Sequence, residues 1–225
     1  MATYNGAAFV KEQIESILTQ LGSNDELIIS DDCSIDQTLD IIKSYNDKRI
    51  ILLSGKRFAS PILNFEYALK HVKGDIIFLA DQDDIWASNK VEVCIDVLKS
   101  CDLILHDANI IDAYGNILHT SFFKLRNVKN GYWTNLYKNS YIGCCMAFRA
   151  SVLKYTLPFP KQIAMHDMWI ALKVLLNGKS VFIDEPLLKY RRHGQNASFS
   201  AEKSQLSKFY QFIYRIKMLY YTRLT

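Results

Sequence analysis

Three carboxylates fall within four residues at Asp81-Gln82-Asp83-Asp84, directly after the apolar run Ile76-Ile77-Phe78-Leu79-Ala80. Acids packed that closely repel one another unless something positive lies between them, and a divalent cation with phosphate oxygens does this well. An apolar run of that length reads as a strand buried on both faces, in a sheet covered by helices. The carboxyl end of such a strand is where open α/β sheets bind ligands. A plainer reading stays open: Asp81 ends the strand, Asp84 caps the next helix and Asp83 is merely solvated, since short acidic turns are common. A second acidic pair, Asp31-Asp32, follows a second buried run, Glu26 to Ser30. In a parallel sheet both sets of acids lie at the same edge, which solvated acids alone do not explain.

The elements that must position these acids can be read in order. Asn5-Gly6 is a turn signal, and Val10, Ile14, Ile17, Leu18 and Leu21 then recur at helical spacing. Ser34 and Gln37 have the spacing of a capping box opening a helix through Leu39, Ile42 and Tyr45. Arg49 to Leu53 reads as a strand. Ser60-Pro61 offers an N-cap and a proline at the first helical position, ahead of Ile62, Phe65, Leu69 and Val72. After the central acids, Ser88 is the expected cap of a helix carrying Val91, Cys94, Ile95 and Leu98. Strands alternating with helices predict a parallel, doubly wound sheet to about residue 100. No glycine-rich phosphate loop follows any strand, which argues against a dinucleotide fold or a P-loop enzyme.

The second half is less regular. Asp102 to His106 and Asn116 to Ser121 read as strands, with Tyr114-Gly115 turning between them. Ile142 to Phe148 is apolar. His166-Asp167 opens a helix through Trp169, Leu172, Leu175 and Leu176 that Gly178 closes. Val181 to Ile183 and Leu187 to Tyr190 are expected as short strands leading into Arg191-Arg192-His193-Gly194-Gln195-Asn196. From about Lys203, Leu206, Phe209, Ile213, Ile216 and Tyr220 share one helical face, flanked by Lys208, Arg215, Lys217 and Arg223.

A length of 225 residues suits one domain, and 49% apolar with 22% charged residues is ordinary for a soluble globular protein. The net charge of +4 is mild and no basic run suggests a nucleic-acid partner. No signal peptide or membrane-spanning run is evident. The five cysteines, Cys33, Cys94, Cys101, Cys144 and Cys145, lack metal-site spacing and read as reduced cytosolic thiols. Cys144 and Cys145 read as packing residues, because no partner histidine is evident by spacing. Asn196-Ala197-Ser198 matches a glycosylation acceptor, but nothing marks a secretory route.

The motifs Ala2-Thr3-Tyr4-Asn5-Gly6, Ser30-Asp31-Asp32-Cys33-Ser34-Ile35-Asp36-Gln37-Thr38 and Asp81-Gln82-Asp83-Asp84-Ile85-Trp86 together resemble family 2 glycosyltransferases with the GT-A fold. The resemblance continues in Gly143-Cys144-Cys145-Met146-Ala147-Phe148, His166-Asp167 and Tyr190-Arg191-Arg192-His193-Gly194, in the family's order. It is strongest to rhamnosyltransferase-like bacterial enzymes of surface polysaccharides. It implies the following roles. Tyr4, with Thr3 and Asn5, meets the nucleotide, its ring on the base, while Asp32 bonds the base edge and Arg57 lies near base or phosphates. Asp81 reaches the ribose; Asp83 and His193 hold Mg²⁺ or Mn²⁺ on the diphosphate. Asp167 is the general base, and Gly143, Cys144, His166 and Trp169 border the acceptor.

The chemistry is consistent with those roles. A nucleoside diphosphate leaves with negative charge that a bridging metal stabilises, and an acceptor hydroxyl needs a carboxylate to take its proton. One metal and one base make a single inverting displacement. Near a helix N-terminus, Asp167 is expected to stay ionised through the helix dipole; as a rival, it is only a helix cap. The expected activity is transfer from a UDP- or dTDP-sugar, dTDP-rhamnose among the candidates, to a glycan or lipid-linked acceptor. Two alternatives remain: a nucleotide-binding remnant without catalysis, and a sugar nucleotidyltransferase, which would need a glycine-rich triphosphate loop near the first strand. The expected organisation is a nucleotide-sugar half (1–100), an acceptor and catalytic half (101–200) and an amphipathic helix (201–225). The expected location is cytoplasmic, with peripheral membrane contact through 203–223 as an open option. In the family, apolar residues normally precede the Ala-Thr-Tyr-Asn segment, so a start upstream of Met1 or a trimmed copy is expected.

Overall fold

The structure, a computed structural model, describes residues 1–194 and 208–224, with side chains of the second stretch described for 211–223. The Asn196-Ala197-Ser198 acceptor and the Leu206 and Phe209 side chains of the expected helical face lie outside the described residues.

Strands β1 (Ala2–Thr3), β2 (Leu27–Asp31) and β3 (Ile50–Leu53) form a parallel sheet in that order. Helices α1 (Val10–Leu18), α2 (Thr38–Ser44) and α3 (Pro61–Leu69) connect them and lead onward. Every residue of β2 is buried, as expected for a strand covered on both faces. The apolar run after α3 yields a shorter strand than its length suggests, β4 (Ile76–Phe78), followed by β5 (Ile85–Trp86) and α4 (Lys90–Leu98). The second half supplies β6 (Leu103–Ile111), β7 (Ile117–His119), α5 (Phe122–Arg126), α6 (Tyr132–Tyr137), β8 (Met146–Arg149), α7 (Leu153–Thr156), α8 (His166–Asn177), β9 (Ser180–Arg191) and α9 (Lys208–Leu224). Its sheet is mixed, in the order β4-β8-β6-β9-β5 with β7 on β6. Thus β4 pairs antiparallel with β8 and meets β1 through Ala2 N–H donating to Ala80 O at 3.4 Å.

Several local expectations change for physical reasons. Ser34 does not cap α2; Gln37 stands at the N-cap without a side-chain bond, and Ser34 Oγ donates to Asp31 Oδ2 at 2.6 Å instead. Ser88 is likewise not a cap, since Asn89 precedes α4 and makes no capping bond. Ser60 does cap α3, accepting from Leu63 N–H at 3.5 Å. Gly178 follows α8 in extended backbone, and its lack of a side chain is needed because a Cβ there would lie 2.5 Å from Asp102 Oδ2. The two short strands expected after it are one, β9, whose register against β6 shifts twice around Asp107. Such bulges absorb extra residues and let the strand continue.

The core gathers Ile14 and Ile17 of α1, Ile29 of β2, Leu103 and Leu105 of β6 and Trp169 of α8, all at most 2% exposed. Each such side chain contributes about 1.5–3 kcal/mol by leaving water. Helix α9 packs back on this body: Met218 and Thr222 are buried, Tyr132 and Thr222 hydroxyls meet at 2.5 Å, and Arg215 Nε donates to Tyr137 O.

Candidate functional site

The turn after β4 is clamped to the loop after β1 by one side chain. Gln82 Oε1 accepts from Tyr4 N–H at 2.8 Å and Gln82 Nε2 donates to Tyr4 O at 3.0 Å. Gly6 is required there, because any Cβ would overlap the Gln82 amide. The turn thereby aims Asp83 at the end of β9, where His193 Nε2 lies 2.8 Å from Asp83 Oδ2 across 110 sequence positions. His193 also packs on Phe9, ring centroids 4.7 Å apart. Tyr4, Asn5, Gly6, Ala8, Phe9, Gln82 and His193 line a cavity of about 270 Å³.

Behind that mouth the charges are densely arranged. Arg191 is buried and staples the turn: its N–H donates to Asp84 Oδ1 (2.9 Å), Nε to Asp83 O (2.8 Å), and one terminal nitrogen to Glu12 Oε2 (2.5 Å). Lys90, fully buried, donates Nζ to Cys144 O at 2.7 Å and sits 4.3 Å over the Trp86 ring. Asp81, Asp84 and Cys144 bring donor atoms within 4.8 Å of one another. Burial, then the charges of Asp83 and Asp167, pushes the Asp81 carboxyl up to about 7. Burial and the neighbouring Asp83 and Asp81 push Asp84 well above the carboxylate range.

The Asp81-Asp84-Cys144 cluster is a poor site for Mg²⁺ or Mn²⁺, which favour oxygen donors, because it offers a thiol and has the Lys90 ammonium close by. Asp83 and His193 fit better. They are partly accessible, offer an oxygen and an imidazole nitrogen, and abut carboxylates whose repulsion a cation would relieve.

The residues expected on the nucleotide separate into two groups. Tyr4 is 49% exposed at the cavity, its ring free to meet a planar ligand. Thr3 is buried and its hydroxyl donates to Asp31 Oδ2, so its side chain is structural rather than ligand-facing, a correction to the expectation. Asn5 stitches loops: its Oδ1 accepts from Ile35 N–H and its backbone takes the left-handed region at φ 49°. Asp32 accepts from three consecutive backbone N–H groups, Phe58 (2.5 Å), Ala59 (3.1 Å) and Ser60 (3.2 Å). Arg57, exposed, precedes those three on the loop that Asp32 holds.

Asp167 lies at the start of α8, buried and near enough to Asp81 for their charges to repel. Met165 is the N-cap and forms no side-chain bond, so Asp167 is the second helical residue and not the cap. Its carboxylate accepts from Met168 N–H (2.6 Å) and, across the chain, from Gly143 N–H (3.2 Å). Burial outweighs these bonds and pushes the carboxyl up to about 6, so it is ionised at neutral pH but less firmly than an ordinary carboxylate. His166 stacks on Phe65 with centroids 4.1 Å apart, and neither ring nitrogen finds a partner among the described residues. Burial lowers it to about 3, so the imidazole is neutral. Gly143 admits that ring closely, since a Cβ would lie 3.1 Å from His166 Nε2. Cys144 is fully buried beneath the acids. Trp169 does not border an acceptor: it is 1% exposed and its Nε1–H donates to Thr156 O, which places it in the core.

Sequence reasoning missed Lys90, Gln82 and Glu12. Gln82 and the motif carrying Arg191 stood in the quoted runs, yet their roles depend on partners 78 and 179 positions away. Lys90 carried no signal, because a lysine at a helix start is usually solvated.

A sequence model described as Glycosyl transferase family 2 matches residues 1–157. The dTDP-rhamnosyl transferase RfbG of Shigella flexneri is 29% identical over 226 residues, covering 92% of this chain and 78% of its own. The UDP-Glc:alpha-D-GlcNAc-diphosphoundecaprenol beta-1,3-glucosyltransferase WfgD of Escherichia coli is 28% identical over 175 residues, covering 78% and 68%. Among solved structures, S. aureus TarS 1-349 in complex with UDP-GlcNAc superimposes with a TM-score of 0.70 at 18% identity, covering 97% of this chain and 70% of that one. The mannosyltransferase PcManGT from Pyrobaculum calidifontis, in complex with GDP-Man and Mn²⁺, gives 0.60 at 20% identity, covering 82% and 53%. The family match ends before Asp167 and His193.

Proposed function

Because this chain belongs to glycosyl transferase family 2 and has the GT-A fold, we propose a metal-dependent, inverting transfer from a nucleoside-diphosphate sugar to a glycan or lipid-linked acceptor in surface polysaccharide synthesis. A UDP- or dTDP-sugar is the donor, in keeping with the names of the two relatives. The observation that carries this reading is the Asp83–His193 contact at the mouth of the cavity that Tyr4 lines.

Asp83 and His193 are the residues that would hold Mg²⁺ or Mn²⁺ on the diphosphate. Such an ion stabilises the charge that develops on a departing nucleoside diphosphate. The remaining work falls to the chain. Tyr4 would offer its face to the base, Gln82 ties the base-side loop to the acidic turn, and Asp81 would meet the ribose. Asp167 takes the acceptor proton at its carboxylate. A base raised to about 6 is ionised at neutral pH yet basic enough to accept a proton as the new bond forms. No covalent sugar intermediate is needed, and Cys144 is unsuited to form one because burial holds its thiol far up and protonated.

The organisation follows: residues 1–100 bind the donor, 101–200 bring base and acceptor, and α9 is the outer helix. No helix among the described residues is long and apolar enough to cross a membrane. Phe212, Ile216 and Tyr220 are nevertheless exposed on the outer face of α9, beside Lys217 and Arg223 and without an acidic residue on the helix. That face suits peripheral contact with an anionic membrane on the cytoplasmic side, where a lipid-linked acceptor would lie.

Thermal shift with nucleoside diphosphates, with and without Mn²⁺, tests the reading. The expected result is stabilisation by UDP or dTDP that grows when Mn²⁺ is added and is lost in His193→Ala. Equal shifts with and without Mn²⁺ in the native protein would remove the metal from the proposal.

A further inference from the structure

Charge is unevenly divided along the chain. All the acids except Asp167, Asp184, Glu185 and Glu202 lie at or before Asp112, so the stretch between Asp112 and Asp167 carries none. Lys124, Lys129 and Lys138 are exposed within that stretch, and α9 is likewise basic and without an acid. The same two regions expose large apolar side chains. On α6, Trp133 is 62% and Tyr137 72% exposed, and on α9 Phe212, Ile216 and Tyr220 face outward.

The two helices make one surface. Trp133 and Tyr137, four positions apart, share a face of α6. Helix α9 runs beside α6 in the opposite direction, since Tyr132 meets Thr222 while Tyr137 O accepts from Arg215 Nε at 2.8 Å. The Arg215 guanidinium stands 4.9 Å from the Tyr137 ring centroid and the Arg223 guanidinium 5.4 Å from that of Trp133. By helical spacing Arg223 also belongs to the exposed stripe of Phe212, Ile216 and Tyr220. It therefore joins the apolar row of α9 to the aromatic pair of α6. Helix α6 packs in turn against α8, whose first residues are His166 and Asp167.

Resting on the peripheral contact read above for α9, we infer that the acceptor half docks on an anionic bilayer through α6 as well, with Trp133 and Tyr137 seated in the headgroup layer. Indole and phenol rings favour that layer because one end is apolar and the other wet. The guanidinium and ammonium groups around them complement anionic headgroups, each basic residue near such a surface adding to the attraction. A second copy of this face is a poor occupant, because two acid-free basic surfaces repel. Phe212 and Ile216 offer nucleic acid no hydrogen bond, whereas the acyl boundary takes up both. Docked in this way, the helix that carries Asp167 lies one helix spacing, about 8–10 Å, behind the bilayer surface. A lipid-linked acceptor would then reach the proposed base from the membrane side, while the acid-rich donor half stays in water.

Tryptophan emission tests this directly, because Trp86 and Trp169 are buried and Trp133 alone is exposed. The whole chain is titrated with phosphatidylcholine vesicles containing roughly a third phosphatidylglycerol, and with vesicles of phosphatidylcholine only. The anionic vesicles should shift the emission to the blue and allow quenching by brominated acyl chains, and Trp133→Phe should abolish both changes. Trp133→Ala with Tyr137→Ala should weaken partitioning about tenfold, and Lys138→Ala about fivefold. Binding that leaves Trp133 in water, equal binding to neutral vesicles, or an emission change that survives Trp133→Phe would overturn the proposal. The same blue shift with polyglutamate or RNA in place of vesicles would mark a different partner and overturn it too. Phe212→Ser with Ile216→Ser separates the α9 reading: if it abolishes binding while native Trp133 never leaves water, α9 docks alone. Stabilisation by UDP and Mn²⁺ is measured on the same protein without vesicles, so failure of the enzymatic reading shows there and not in the emission.

Discussion

Two acidic turns leave the same edge of the fold, and they have been put to opposite uses. The Asp31-Asp32 turn is saturated by protein donors. Asp31 accepts from the Thr3 and Ser34 hydroxyls and the Ser34 N–H, and Asp32 from three loop N–H groups. The Asp81-to-Asp84 turn is held differently, by groups of β9 and the loop after it. Asp84 receives the Arg191 N–H and Asp83 meets His193, while burial and mutual repulsion raise Asp81 to about 7. In the proposed reading, acids bonded mainly to backbone and hydroxyl donors hold structure together, and those whose mutual repulsion remains have use for an added cation.

The sharpest way to break the comparison is to exchange the consequences. Asp83→Ala should reduce turnover by about 10⁴-fold or more, roughly 5.5 kcal/mol of barrier, by removing the anchor for the diphosphate's cation. Its effect on Tm should stay within about 2 °C, since this carboxylate lies at a turn near the cavity mouth and outside the apolar core. Near-normal sugar transfer by the variant in excess chelator would show that this turn is as structural as its counterpart.

Asp167→Asn comes next in size and tests whether burial has tuned a base. The folded-state carboxyl stands at about 6 against an ordinary 3.8. Between those values the native state holds a proton that the unfolded chain has lost, so stability falls as pH rises through the window and levels off above it. About two pH units correspond to roughly 2.7 kcal/mol, less about 1 kcal/mol because the amide serves only one of the two N–H groups well. At pH 8 the variant should therefore melt a few degrees above the native protein while its turnover falls 10²–10⁴-fold. The native kcat/KM should drop about tenfold per pH unit below about 6. A pH profile flat down to pH 5, or a loss of turnover under tenfold, would leave Asp167 with a structural role.

Asp31→Ala measures the other side. It strands two hydroxyls and one N–H that now share one carboxylate, costing about 2–4 kcal/mol. Tm should fall by roughly 5–10 °C, while turnover per folded molecule stays within about threefold. Denaturant unfolding and an active-site titration on one preparation check both halves; a variant as stable as the native protein yet inactive would reverse the assignment.

Why one turn was readable and the other was not follows from range. The strand-and-acid pattern around Ile76 to Asp84 is local, so periodicity and composition sufficed to place it. So did the Ser60-Pro61 start of α3, because a cap and its partner lie three positions apart. The donors that satisfy Asp32 lie 26 to 28 positions away, and nothing in Phe58-Ala59-Ser60 advertises backbone N–H groups. Trp169 misled for the same reason: its helix showed an apolar face, but which residues faced the cleft depended on Thr156 and the chain around it. The capping box at Ser34 and Gln37 failed because the helix begins later, with Gln37 at its N-cap, while the Ser34 oxygen accepts from Asn5 N–H at 2.9 Å and its hydroxyl donates to Asp31.

The smallest expected effect separates two roles that Asp32 can hold at once. Three of its lone-pair positions are taken by loop N–H groups. A carboxylate has about four, which leaves one for the edge of a bound base. Asp32→Asn retains the size but has a single acceptor oxygen, and its NH₂ group is turned toward at least one N–H. A loss of about 1 kcal/mol in stability and a loosening of the loop carrying Arg57 should follow. If loop support is the whole role, all nucleoside diphosphates should weaken by the same factor, about three- to tenfold, because the change is in the protein and not in a contact to the base. If Asp32 also reads the base edge, replacing an acceptor with a donor should alter the preference among bases. The ratio of UDP to GDP dissociation constants would then shift by about tenfold, the size of one hydrogen bond of roughly 1.4 kcal/mol. Calorimetric titration of the native protein and the variant with UDP, dTDP and GDP yields both quantities. A constant ratio would place Asp32 wholly with Asp31 among the satisfied acids, and a changed ratio would show that the saturated turn keeps one position open to the ligand.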